Sequence, residues 1–380
     1  VSDHLLADLR RPTADLRISW EEKIDLLLEI EEITRKVKGV KLSTASMRFI
    51  KKEQTFANTE GSLVEQTILQ SGAGIDATAI KDGETQVRSY PMPHYGQFKT
   101  SGYELIQELK LGENAQRVGE EAVALLSAKP CPETVTTVIL DGTCVALQVH
   151  ETCGHPTELD RVLGTEVSLA GTSFLTPDKL NSFKYGSPLV SITADATIPG
   201  GLGTFGYDDE GVRAQRSYLV KDGLFVGYLT SRETATTLGG NSNGTMRADG
   251  WQNIPLIRMT NINLEPGEWK LEDMIADTES GVYLNTWKSV SIDDKRLNFH
   301  GTAEIGWEIK GGKLARMIKN PTYTGITYEL WNSCNAVADR SQWVVWGVPS
   351  CGKGDPMQIA HVGHGTSPAR FGKVKIGAGR

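Results

Sequence analysis

The apolar positions of the chain change period several times, and each change marks a predicted element. Between Trp20 and Val37, Ile24, Leu27, Leu28, Ile30, Ile33 and Val37 recur mostly every three or four residues, the spacing of one helix face. Residues 1–38 as a whole are charged and helical in pattern. From Lys41 to Arg88 short β-prone stretches alternate with turn signals at Asn58-Thr59-Glu60-Gly61, Gly72-Ala73-Gly74 and Lys81-Asp82-Gly83-Glu84. That pattern predicts a meandering antiparallel sheet. Helical spacing returns from Ser101 to Ala128, with Leu105, Ile106, Leu109, Ala115, Val118, Ala122 and Leu125 on the inner side. Lys129-Pro130-Cys131-Pro132 breaks it and marks a domain boundary.

Past the break, a buried-looking strand from Thr136 to Leu140 runs through Asp141-Gly142-Thr143 into a helix-like segment. After Gly164 the chain is rich in Gly and Thr, with few helical signals. One hairpin is predicted from Gln215 to Val220 and Leu224 to Thr230, around Lys221-Asp222-Gly223. A second joins Glu304 to Ile309 and Lys313 to Met317 across Lys310-Gly311-Gly312. The expected class is therefore α+β. A helix and antiparallel-sheet domain at 1–128 precedes a mainly β domain at 129–380 that carries one motif helix.

The 380 residues suffice for two domains with real cores. A net charge of −7 argues against a general nucleic-acid binder, which would show a basic face. No apolar run reaches membrane-spanning length and no secretory n- and h-region opens the chain. The first residue is Val1 rather than Met, so a leading piece is expected to be missing. Five cysteines, at 131, 144, 153, 334 and 351, form no disulfide pattern, and a reducing cytoplasm fits best.

The candidate chemistry lies in His150-Glu151-Thr152-Cys153-Gly154-His155. Neutral imidazole is a common metal ligand, and a carboxylate beside a metal-bound water can act as general base. Histidines five apart would sit roughly 140° apart on a regular helix. They share one ion only if the helix takes a π-type turn or ends at His155, and Gly154 and Pro156 favour such a distortion. A third ligand is then needed. Glu158, Asp160, His300, His361, His364, Cys153 and Cys334 are all available. Cys351 ranks first, because a Gly-flanked turn beside Lys353 would make its thiolate accessible and electrostatically favoured. The acidic run Tyr207-Asp208-Asp209-Glu210-Gly211 reads as a turn, and His94 as a loop residue. The segment from Gly239 to Gly244, followed by Arg247 and Trp251, suits either close approach of a ligand or a plain surface loop.

In this order the motifs resemble the TldD/PmbA family of metallopeptidases, often described as modulators of DNA gyrase. The likeness runs through the His150-Glu151-x-x-x-His155 motif, the turn at Gly206 to Gly211 and Asn243-Gly244. It continues through Ile257-Arg258-Met259-Thr260-Asn261 and ends at Cys351-Gly352-Lys353. Residues 41–128 look like the later part of the family's N-terminal domain, with its opening strands and helix absent or shortened. Pro156 stands where the family typically has Gly. The resemblance implies Zn2+ held by His150, His155 and Cys351, with Glu151 as general base. It implies cleavage of unfolded peptides inside a dimer chamber, the partner being a second copy or a TldD/PmbA paralogue. Direct nucleic-acid and membrane contacts are not expected. An extended substrate would be held by strand addition, with little sequence selectivity. A non-catalytic binding subunit of such a complex is the alternative, and Arg247 is the candidate oxyanion partner.

Overall fold

In the computed structural model the described residues are 18–169 and 171–379, together with the backbone of Leu5–Asp8. The architecture is α+β, as the periodicity predicts. Trp20–Lys36 is a helix because Ser19 and Glu22 form a reciprocal capping box at its start. Leu5–Asp8 departs from the helical expectation for residues 1–38. It is a strand paired in parallel with the start of Leu63–Lys81. The remainder of that expectation before residue 18 lies outside the described residues.

Two long strands, Val40–Ala57 and Leu63–Lys81, form an antiparallel hairpin that Glu84–Tyr90 extends. Turns occur at Asn58–Gly61 and Asp82–Gly83, but Gly72-Ala73-Gly74 lies inside the second strand. Those glycines permit close approach instead. A Cβ on Gly72 would meet the Phe98 ring, and one on Gly74 would lie 2.5 Å from Gly96. The single helix expected from Ser101 to Ala128 is two, Glu104–Leu109 and Leu111–Ser127. Lys110 separates them in a left-handed conformation, φ 48°. Both helices keep their predicted inner faces buried.

The second part is built around a sheet whose pairings close on themselves. Thr134–Leu140 pairs with Ser280–Ile292 in parallel and with Ala369–Ala378 antiparallel. Pro321–Ile326 and Asn298–Lys310 complete the ring back to Ser280–Ile292. The hairpin predicted from Gln215 to Thr230 is shorter than expected, its second strand being only Leu224–Phe225. A separate two-stranded ribbon joins Val344–Lys353 to Gln358–Thr366. Among the described residues no helix is long and apolar enough to cross a membrane.

Glutamines fasten the first sheet onto the second part. The Gln66 amide oxygen accepts from the Gly206 and Tyr207 amides at 2.8 and 2.9 Å, and its NH2 donates to the Tyr207 carbonyl. Gln97 donates to the Val345 carbonyl and accepts from the Gly347 amide. Buried Arg88 reaches Glu304 across the same junction at 2.8 Å.

Candidate metal centre

Asp141 starts the motif helix by accepting a hydrogen bond from the Cys144 amide at 2.8 Å, an N-cap at the end of the preceding strand. The helix, Gly142–Val149, is apolar nearly all round and correspondingly buried. At His150 it widens into a π-turn through Gly154, closed by a bond from the His155 amide to the His150 carbonyl. A 3-10 turn over His155–Thr157 follows. The five-residue spacing therefore sits where it can bring both rings together, with centroids 4.8 Å apart and nearly perpendicular.

The carbonyls freed by the wide turn find side-chain donors. The Tyr185 hydroxyl bonds the Thr152 carbonyl at 2.8 Å, and the Thr157 hydroxyl bonds those of Cys153 and Gly154. Gly154 has an ordinary helical φ of −56°, so conformational freedom is not its role. A Cβ there would lie 2.0 Å from the Met259 sulfur.

Cys351 enters from the ribbon. Its segment is strand rather than the expected turn, which falls later, around Gly354. The ladder slips between Val348 and Cys351, and this irregularity re-aims the strand there. The thiol sulfur lies 3.4 Å from His150 Nε2 and 3.8 Å from His155 Nε2. Among the described residues these three side chains are the group whose donor atoms all fall within 4.8 Å of one another. All three are buried.

Neighbours fix which nitrogen faces inward. His364 Nδ1 faces the Ile262 carbonyl, which only accepts, so that nitrogen carries the proton. His364 Nε2 then accepts from His150 Nδ1 at 2.7 Å, leaving the His150 Nε2 lone pair toward Cys351. His155 Nδ1 donates to Glu158 at 3.0 Å, which likewise frees its Nε2. Such outer partners orient metal-binding imidazoles. Burial would push the Glu158 carboxyl up, but Lys353, His155 and Arg161 outweigh it and hold it well below the usual range. Burial also opposes the Cys351 thiolate, yet His155 and Arg258 bring that thiol below its ordinary value.

The other candidates stand elsewhere. Lys353 does not assist Cys351 directly; its ammonium bonds both Asp160 oxygens, at 2.7 and 2.9 Å. Asp160 and Glu158 are thus committed to structural ion pairs. His361 bonds Gln70 in a neighbouring cleft, and His300 is exposed on its strand. Cys153 and Cys334 are buried thiols pushed up by burial, the latter to about 12. Arg247 donates to the Met259 and His361 carbonyls, away from the histidine pair. Asn243 bonds Thr230 and the Tyr228 carbonyl, so the glycine-rich loop is tied down by its own side chains. The acidic run is a turn: Asp208 accepts from the Glu210, Val212 and Met246 amides.

Glu151 points into a cleft of about 580 Å³ that the cluster also lines. Burial would raise its carboxyl, but His150, His155 and Arg296 hold it below the ordinary value. Arg296 Nη1 donates directly to Glu151. Arg296 and the Arg258 bond to the Cys351 carbonyl were not assigned roles at this site from the sequence, and His364, available there as a third ligand, instead supports the His150 ring. Each comes from a distant strand or turn, and nothing local in the sequence signals its role.

The chain matches the PmbA/TldA metallopeptidase central domain over residues 15–129 and the C-terminal domain of the same family over residues 133–377. The chain belongs to the PmbA/TldA metallopeptidase family. Sequence relatives agree. A metalloprotease of Methanothermobacter thermautotrophicus is 31% identical over 99% of this chain and 78% of its own length. One from Methanocaldococcus jannaschii is 30% identical, covering 84% of this chain and 67% of its own. A solved Thermotoga maritima structure, described as a candidate modulator of a DNA gyrase, superposes with a TM-score of 0.76 at 19% identity. The match spans 97% of this chain and 77% of that one. At that identity the likeness shows the fold alone.

Proposed function

We propose that this PmbA/TldA member is a zinc-dependent peptidase acting on unfolded peptides. The observation that carries this reading is the convergence of His150, His155 and Cys351 beside an ionised Glu151 in an open cleft. Tetrahedral zinc with typical Zn–N and Zn–S bonds would separate its donor atoms by roughly 3.3–3.6 Å. The sulfur-to-nitrogen distances of 3.4 and 3.8 Å suit that geometry. Two imidazoles and one thiolate also leave a fourth position for water or substrate, as catalytic zinc sites do.

When bound, zinc would polarise the scissile carbonyl and acidify the attacking water. The chain's own residues supply the rest. Glu151 is poised to take the water proton and return it to the leaving amine, and Arg296 aims its carboxylate. His364 and Glu158 hold the two imidazoles so that each Nε2 faces the cluster. An extended peptide laid along a sheet edge would be held through main-chain bonds. The reading includes a dimer, with a second copy or a TldD/PmbA paralogue enclosing the cleft, and a cytoplasmic setting. Five free, buried cysteines accord with the latter.

The test compares wild type with Glu151→Gln, measuring zinc content, peptide binding and turnover on the same preparations. Glu151→Gln is expected to keep its zinc and peptide affinity while hydrolysis falls by about 10²–10⁴. Near-normal turnover of the zinc-loaded variant would exclude Glu151 as the base. Wild type that purifies without stoichiometric zinc and hydrolyses nothing would favour the non-catalytic binding subunit instead.

A further inference from the structure

Resting on the peptidase reading, we propose that the cleft selects peptides with a large apolar side chain beside the scissile bond. Trp287, Leu169 and Met357 would set that preference. Along with the ligand cluster, the cleft is walled by Trp287, Val290, Val348 and Ile359, with Leu169 and Met357 at its mouth. Among the described residues, the charged side chains lining it outside the ligand cluster are Glu151 and Arg296, and these are paired with each other. Away from the ligand cluster, a charged substrate side chain entering here would lose water and would have to compete with that ion pair for a partner.

The mouth is the more telling part. Leu169 is 64% exposed and Met357 58% exposed, although both are large and apolar. Leu169 also adopts φ 68°, a left-handed conformation uncommon for a residue with a side chain. Strain of this kind persists where the surroundings impose it, often at ligand clamps. Both side chains lean over Gly352, next to Cys351. A Cβ on Gly352 would lie 3.0 Å from the Met357 sulfur and 3.3 Å from Leu169 Cδ2. The absent side chain thus brings two exposed apolar groups against the neighbour of a metal-ligand candidate. Deeper in, Trp287 is 9% exposed and stacks on His94, with centroids 4.9 Å apart and planes 18° from parallel. His94, a loop residue as expected, therefore braces one aromatic wall from the first domain. Exposed apolar groups rimming a groove mark a surface that a ligand covers, and the flexible Met357 can adapt to side chains of different shape.

The test uses the full chain loaded with zinc and peptides identical except for Phe, Ala or Asp at one position. Cleaved bonds are mapped by mass spectrometry and kcat/KM is measured in competition. Cleavage beside Phe is expected about tenfold or more faster than beside Ala, and faster still than beside Asp. Met357→Asp and Trp287→Ala should each lower the Phe-to-Ala ratio by about tenfold. Met357 is exposed, so its variant carries the test if Trp287→Ala fails to fold. The same peptides are titrated into zinc-loaded Glu151→Gln chain. Tighter binding of the Phe peptide without hydrolysis by wild type would overturn the peptidase reading and support the apolar cleft. Hydrolysis at equal rates for Phe, Ala and Asp would overturn the cleft preference alone. So would a Met357→Asp variant whose ratio is unchanged while its oligomeric state shifts.

Discussion

Cys351 and His361 come from the two paired strands of one ribbon, yet only Cys351 reaches the histidine pair. Cys351→Ala should therefore lower metal content from one ion per chain toward none, whereas His361→Ala should leave it unchanged; plasma emission analysis of the two variants checks both. His361 has its own signature. Burial, with Arg247 nearby, pushes it down to about 4. Its folded value lies below the unfolded value of about 6.5, so the unfolded chain binds the proton first as pH falls. The His361 contribution is intact above about pH 6.5 and is lost progressively toward pH 4. Thermal melts from pH 7 to 4 should show wild type losing stability relative to His361→Gln; parallel curves would contradict this. At this scale the contiguous part of the site was legible in sequence, because His150, Glu151 and His155 lie within one turn and a half of chain. The parts played by Arg296 and Arg258 were not, and His364, a candidate third ligand by its spacing, turns out to support His150 instead. Their roles depend on strands brought together only by the fold, and an arginine in a turn looks like any solvated arginine.

At the scale of elements, the π-turn followed from spacing and from Pro156, which cannot donate its missing amide. The reason for Gly154 did not. Its place depends on Met259, from a distant segment, packing where a Cβ would be. Gly154→Ala should accordingly displace the turn, lowering both the melting temperature and zinc affinity. Pairing it with Met259→Ala should restore part of the zinc affinity, a coupling expected of residues in contact. Equal zinc affinity in Gly154→Ala and wild type, by competition with a chelator, would show that the turn tolerates the extra carbon. The same ambiguity explains Gly72-Ala73-Gly74. Glycine marks both turns and close approaches, and only the position of Phe98 and Gly96 tells them apart. The break at Lys110 likewise interrupts a pattern whose buried face continues on both sides, so the apolar periodicity conceals it.

For the whole molecule, the α+β class could be read from the change of period along the chain, while the closure of the second sheet could not. That closure joins Thr134–Leu140 to Ser280–Ile292 and Ala369–Ala378, pairings set by distant segments rather than local pattern. Assembly belongs to this scale too. The dimer in our reading predicts by light scattering twice the chain mass of 41.5 kDa for two copies, or the summed mass of the two chains with a paralogue. A monomer fully active on peptides would remove the enclosed-chamber part of the account. The central claim is that two histidines of one π-turn and a cysteine of a bulged strand hold a single zinc. The most direct test is anomalous diffraction collected on both sides of the zinc absorption edge from crystals of the intact chain. The account predicts one peak per chain, about 2.0–2.1 Å from each histidine Nε2 and about 2.3 Å from the Cys351 sulfur. A peak coordinated by His361 or another group, or a zinc-supplemented crystal with no peak between His150, His155 and Cys351, would contradict it.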